Sequence, residues 1–100
     1  MLHTVNKSPF ERNALESCLR LAVKGASVLL IEDGVIAALA GTSASDRIAE
    51  RMNDLKFYVL APDIDARGLG DRPLVDGVEV VDYGGFVDLV AAHDAVNAWL

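Results

Sequence analysis

The chain of 100 residues holds a single cysteine, Cys18. One cysteine cannot close an internal disulfide, and no cysteine or histidine stands at the paired spacing of a zinc site. Basic residues are also few: 9 Lys and Arg against 15 Asp and Glu leave a formal net charge of −6. Proteins that bind nucleic acid neutralise phosphates with basic faces, and no Lys/Arg cluster stands here, so no direct nucleic-acid contact is expected. Uncharged runs are short. Residues 26–31 and 34–41 are apolar, but Glu32 and Asp33 divide them, well short of the ~18 residues a membrane span needs. The first residues lack the basic segment and apolar run of a signal peptide. These absences imply a reducing, cytoplasmic setting in which the thiol stays free. There is no Walker pattern and no G-x-G-x-x-G loop, and no cofactor is expected.

What is abundant is apolar surface: 52% of the residues are hydrophobic. That excludes a disordered tail and fits one domain over residues 1–100. Apolar runs alternate with capped, amphipathic stretches. Leu2–Val5 reads as a strand. Ser8-Pro9-Phe10-Glu11 has the residues of a capped helix start, and Ala14, Leu15, Cys18, Leu19 and Ala22 then fall on one stripe before Lys24-Gly25. Ser27–Ile31 is a continuous apolar run, as in a strand buried on both faces. Val35–Ala40 reads as a short helix, although Asp33-Gly34 could also turn a hairpin. A helix capped by Ser43 or Ser45 carries Ile48, Met52 and Leu55. Phe57–Leu60 is a third strand, and Ala61–Arg67 a helical turn closed by Gly68. Residues 70–77 form a loop, Val78–Val81 a fourth strand, and Gly85–His93 a helix. Asp94 is placed to cap a last helical turn ending at Trp99-Leu100. Alternating strands and helices imply an α/β fold with a mostly parallel sheet of about four strands, flanked by helices. A flavodoxin-like order, 2-1-3-4, would set a ligand crevice between Asn6–Ser8 and Ala61–Asp65.

Each chemically suggestive residue also has a plain structural reading. Cys18 lies about ten residues past the expected cap, beyond the first turn in which a helix dipole acts. Its helical neighbours Ala14, Leu15, Leu21 and Ala22 are apolar, which favours an inert, buried thiol. An active thiolate would need a basic neighbour from elsewhere in the fold or from a partner. Lys7 beside a helix start could hold an anion, or could simply be solvated. His3 and His93 fit packed positions. Asp63, Asp65 and Arg67 sit at a strand end without a third metal ligand, as helix-start acids do. Trp99 suits either a core closure or a subunit contact.

Taken together, Leu2-His3-Thr4-Val5-Asn6-Lys7-Ser8-Pro9, Leu30-Ile31-Glu32-Asp33-Gly34-Val35, Tyr58-Val59-Leu60 through Asp65-Ala66-Arg67-Gly68-Leu69, Val81-Asp82-Tyr83 with Phe86-Val87-Asp88-Leu89, and Ala98-Trp99 resemble the DsrH/TusB family over almost the whole chain. The resemblance implies a single DsrE-like domain. It implies the smallest subunit of a cytoplasmic heterohexamer, with DsrE/TusD-like and DsrF/TusC-like paralogues, two copies each. Such complexes pass persulfide sulfur between carriers of the DsrC/TusE and TusA types. One branch feeds 2-thiolation of the tRNA wobble uridine; the other serves sulfur oxidation. In the family the main sulfur-accepting cysteine belongs to the DsrE/TusD-type partner. DsrH-type members carry a cysteine in the first helix, which Cys18 matches, and TusB-type members commonly lack it. The resemblance therefore marks Cys18 as the candidate sulfur-handling thiol and favours the oxidation branch. The competing expectation, from another class, is an independent flavodoxin-like module that binds a small ligand or signals.

Overall fold

The computed structural model describes every residue from Met1 to Leu100. Strands β1 (Leu2–Val5), β2 (Ser27–Leu30), β3 (Lys56–Leu60), β4 (Glu79–Val81) and β5 (Val96–Trp99) form one sheet in the order β4-β3-β2-β1-β5. All neighbouring pairs are parallel. Helices α1 (Ala14–Leu21), α2 (Ser43–Glu50), α3 (Ala61–Ala66) and α4 (Tyr83–Ala92), with a 3₁₀ segment at Glu32–Ala38, make the connections. The small α/β domain expected from the alternating pattern is present, with five strands in place of about four.

Two expectations are corrected at the end of the chain and in the middle of the sheet. The residues before Trp99 are a strand, not a helical turn. Val96–Trp99 pairs with Leu2–Val5 along its whole length, and that ladder overrides the weak helical look of Ala95 and Ala98. The same strand explains the order. β5 takes one edge of β1 and β2 takes the other, so β3 adds outside β2 and the 2-1-3-4 order is not formed. The crevice expected between Asn6–Ser8 and Ala61–Asp65 is therefore occupied by the end of β2 and the residues after it.

The first helix begins later than its residues suggest. The Ser8 carbonyl accepts from the amides of Glu11 and Arg12, both at 3.1 Å, and its Oγ accepts from Phe10 at 3.2 Å. Those bonds close a turn, and α1 starts only after Asn13. For α2 the cap is Thr42 rather than Ser43 or Ser45. Thr42 Oγ1 accepts from the Ser45 amide and Ser45 Oγ from the Thr42 amide, a reciprocal pair at 3.2 Å each. The short helix expected at Val35–Ala40 is present as a 3₁₀ segment over Glu32–Ala38, ending before Leu39, which is extended and bridges to Leu74. Gly34 serves no hairpin. A Cβ there would stand 2.1 Å from the Val5 carbonyl oxygen, so the glycine is what lets this segment lie against β1.

The sheet is covered unequally. Val5, Val28, Leu30, Phe57 and Val59 point to one face and share a cluster with Leu15, Cys18 and Leu19 of α1, Val35 and Ala38 of the 3₁₀ segment, Ile48 of α2 and Ile64 of α3. Leu2, Ser27, Leu29 and Leu60 alternate to the opposite face and are also buried. That face meets α4: His93, just past its end, contacts Ser27 Oγ at 3.2 Å. A right-handed return from β4 at one edge to β5 at the other requires this side. Yet no residue of α4 is itself buried. Tyr83 and Val87 are more than 60% exposed, although Asp88 is the helix's one charge.

The packing at Gly34 yields a direct expectation. Gly34→Ala should lower stability by about 3 kcal/mol, because backbone, not a movable side chain, meets the new methyl group. Gly41→Ala, at φ 81° in open space, should cost about 1 kcal/mol. Urea unfolding midpoints of the two variants should fall in that order.

Candidate functional site

Cys18 is wholly buried. Helix α1 turns it inward with Ala14, Leu15 and Leu19, the stripe already visible in their spacing. Burial pushes its pKa up to about 12 from an ordinary 9.0. A basic neighbour does exist. Arg51, at the end of α2, donates to the carbonyls of Leu19 and of Ala22, the latter at 3.0 Å, and pairs with Asp54 at 3.5 Å. Its charge favours the thiolate but is the smaller of the two influences. Desolvation wins because the guanidinium is spent on the end of α1, where a cation suits the free carbonyls. At pH 7 such a thiol is almost wholly protonated.

The carboxyl ends of β1, β2 and β3 carry a second group of polar residues. Glu32 has φ 50°, rare for a residue with a side chain. Its amide donates to Asp63 Oδ2 at 2.6 Å. Arg67 donates through Nε to Asp33 Oδ1 at 2.9 Å and through its guanidinium to the Asp63 carbonyl at 3.1 Å. Asp63 and Arg67 are thus brought together as the sequence suggested, but as a clasp between the ends of β2 and β3. Asp65 does not join the clasp. Asn6 Oδ1, at the end of β1, is buried without a hydrogen-bond partner. Lys7 is exposed, and Ser8 is engaged in its own turn. No three His, Cys, Asp or Glu side chains gather as a metal site would require.

The histidines lie apart, on opposite faces of the sheet. His93 Nδ1 contacts the Leu89 carbonyl at 2.6 Å. His3 is paired with Trp99 (3.1 Å) across β1 and β5. A groove of about 730 Å³ runs between the Pro9–Asn13 turn and α2. It contains Arg47, bridged to Glu16 at 3.7 Å and Glu50 at 3.9 Å. These are exposed ion pairs of little energetic weight, and none of the singled-out residues opens into the groove.

No catalytic constellation emerges within this one chain, so comparison with known proteins decides its family. The family model described as DsrH like protein matches residues 7–96. This chain belongs to the DsrH-like family. Relatives called Protein TusB align with nearly all of it. That of Pectobacterium parmentieri is 38% identical over 99% of this chain and 100% of its own length. That of Enterobacter sp. (strain 638) is 39% identical over the same shares. The ychN protein from E. coli superposes with a TM-score of 0.84 at 21% identity, covering 97% of both chains. The protein MTH1491 from Methanobacterium thermoautotrophicum, titled as of unknown function, gives 0.73 at 21% identity, covering 97% of this chain and 95% of its own. These two likenesses establish the fold. The DsrH/TusB resemblance stated from the sequence is confirmed.

Sequence reasoning missed Arg51 as the cation near Cys18. Its i+3 spacing from Asp54 is that of an ordinary solvated surface pair, and only the packing of α2 beside α1 reveals the carbonyls it caps. Glu32 reads in the sequence only as a break between apolar runs, since a left-handed residue outside glycine leaves no compositional mark.

Two measurements test the state of the thiol. Alkylation of Cys18 by iodoacetamide should be at least about a thousandfold slower in the folded chain than in urea. The neutral buried thiol contributes stability fully below pH 9.0, and that contribution is lost as pH rises towards about 12. Unfolding free energy should therefore fall with pH in that window, and the Cys18→Ala chain should show a slope shallower by one proton.

Proposed function

We propose that this chain is a subunit of a cytoplasmic sulfurtransferase complex that relays persulfide sulfur between carrier proteins. The observation that carries the reading is the end-to-end match to Protein TusB relatives at 38–39% identity. The partners are DsrE/TusD-like and DsrF/TusC-like paralogues, two copies each in a heterohexamer, with carriers of the DsrC/TusE and TusA types on either side. The uncovered apolar face of α4 supports an obligate partner, since a monomer gains little from exposing Tyr83 and Val87.

In such a relay a thiolate attacks the outer sulfur of a persulfide. The S–S bond breaks, the donor leaves as a thiolate, and the acceptor becomes the persulfide. An acceptor must present an accessible, ionised thiol. Cys18 is buried and protonated, which supports a role for this chain in shaping the surface around a partner's cysteine. The second role open to Cys18, carrying sulfur itself, requires α1 to move on assembly.

The relatives' names favour the branch that ends in tRNA wobble uridine 2-thiolation. Sulfur oxidation is the second reading, favoured by the presence of a cysteine in the first helix. Deleting the gene separates them: loss of 2-thiouridine supports the first, and loss of sulfur oxidation with 2-thiouridine intact supports the second. Co-expression with two paralogous subunits should yield a stable complex. Val87→Glu should abolish co-purification while leaving the far-UV circular dichroism unchanged. The assembled Cys18→Ala complex, offered a persulfidated donor, should load and deliver sulfur within about twofold of wild type, with mass spectrometry placing the added 32 Da on a partner. A monodisperse monomer indifferent to both paralogues would instead favour an independent ligand-binding module.

A further inference from the structure

The first and last strands share one side-chain bond that the relay reading does not use. Trp99 Nε1–H donates to His3 Nδ1 at 3.1 Å. The ring centroids are 6.1 Å apart and the planes tilted by 40°. His3 is only 6% exposed, and Trp99 packs against the core cluster. With Nδ1 accepting, the proton of the neutral imidazole sits on Nε2. An imidazolium has no accepting nitrogen, so in this geometry protonation would set two donors against each other.

The surroundings resist that protonation. Beside His3 lies a pocket of about 420 Å³, lined by Met1, Leu21, Val23 and Lys24 among others, and by no carboxylate. The register partners of His3 are Val28 on β2 and Asn97 on β5, both uncharged. Desolvation first, and the charge of the Met1 amine second, hold the His3 pKa below its ordinary 6.5. The affected strand is an edge: β5 has β1 as its only neighbour. Val96 and Leu100 stand largely free beside it.

We propose that His3 and Trp99 form a proton-operated latch that fastens edge strand β5 to β1, closed while the imidazole is neutral and opened when it is protonated. The latch is independent of any sulfur transfer. Its sign follows from linkage. A base whose folded pKa is lowered contributes stability that is present above pH 6.5 and is lost as pH falls through the folded value. Acid therefore loosens the carboxyl-terminal strand before the core.

Trp99 is the only tryptophan, so fluorescence of the full chain reads the latch directly. As pH falls from neutral to the onset of acid unfolding, emission should shift to the red and the acrylamide quenching constant should rise about twofold. The far-UV circular dichroism should hold steady over the same range. His3→Gln should remove the transition and His93→Gln should keep it. Emission in the wild-type chain that stays flat, or a transition that survives in His3→Gln, would overturn the latch. Histidine ¹⁵N NMR of the wild-type chain decides the matter even if His3→Gln does not fold. The Nε2–H tautomer of His3 at neutral pH is expected, and the Nδ1–H tautomer would sink the proposal.

Discussion

β1 is hydrogen-bonded along both edges, to β2 on one side and β5 on the other, and the remaining architecture is arranged around that double ladder. In a parallel sheet each strand must be followed by a crossover, and the crossovers must cover the faces. With β1 enclosed, the chain can only step outward through β2, β3 and β4, laying α1, α2 and α3 on one face. The return to β5 then has to cross the other face with a single helix. One side of the sheet is a thick, continuous core. The other is a buried row of Leu2, Leu29 and Leu60 under a helix none of whose residues is fully buried.

Much of this was readable from residue patterns, and the failures have physical causes. The continuous apolar run Ser27–Ile31 marked a strand covered on both faces, because neither face of such a strand meets water, and Phe57–Leu60 marked a third strand. The stripe of Leu15, Cys18 and Leu19 marked the inner face of α1. Asp82, whose Oδ1 accepts from the Gly85 amide at 2.8 Å, starts α4 slightly earlier than its apolar run suggested. β5 was illegible because Val96-Asn97-Ala98-Trp99 has little strand character by itself and acquires it from β1, a partner almost the whole chain away. The sheet order failed with it. In the region of the candidate site, Asp63 and Arg67 were correctly drawn together. Their actual partners, the Glu32 amide and Asp33, follow from the placement of β2 between β1 and β3, which local sequence does not encode.

Cys18 illustrates how magnitude decides between readings. The residue has what an activated thiol is supposed to need, a guanidinium in the same neighbourhood. The guanidinium is committed to the carbonyls at the end of α1, and the thiol is sealed in hydrocarbon. The cost of taking a charge out of water exceeds the attraction of one neighbouring cation. A basic residue near a cysteine in three dimensions is therefore not evidence of reactivity unless the sulfur also meets solvent or a donor. In this fold Cys18 is sealed in the core while the apolar residues Tyr83 and Val87 of α4 stand exposed.

The pairing of β1 with β5 has a consequence for how the protein is made. Contacts between segments so remote in the chain form slowly, since a large loop must close before they reward it. During synthesis the outer edge of β1 stays open until β5 has been translated. An apolar, unsealed strand edge is prone to pairing with a neighbouring chain. The polypeptide is thus most exposed to pairing with a neighbouring chain while β5 is absent from the sheet, and the docking of β5 onto β1 closes that edge.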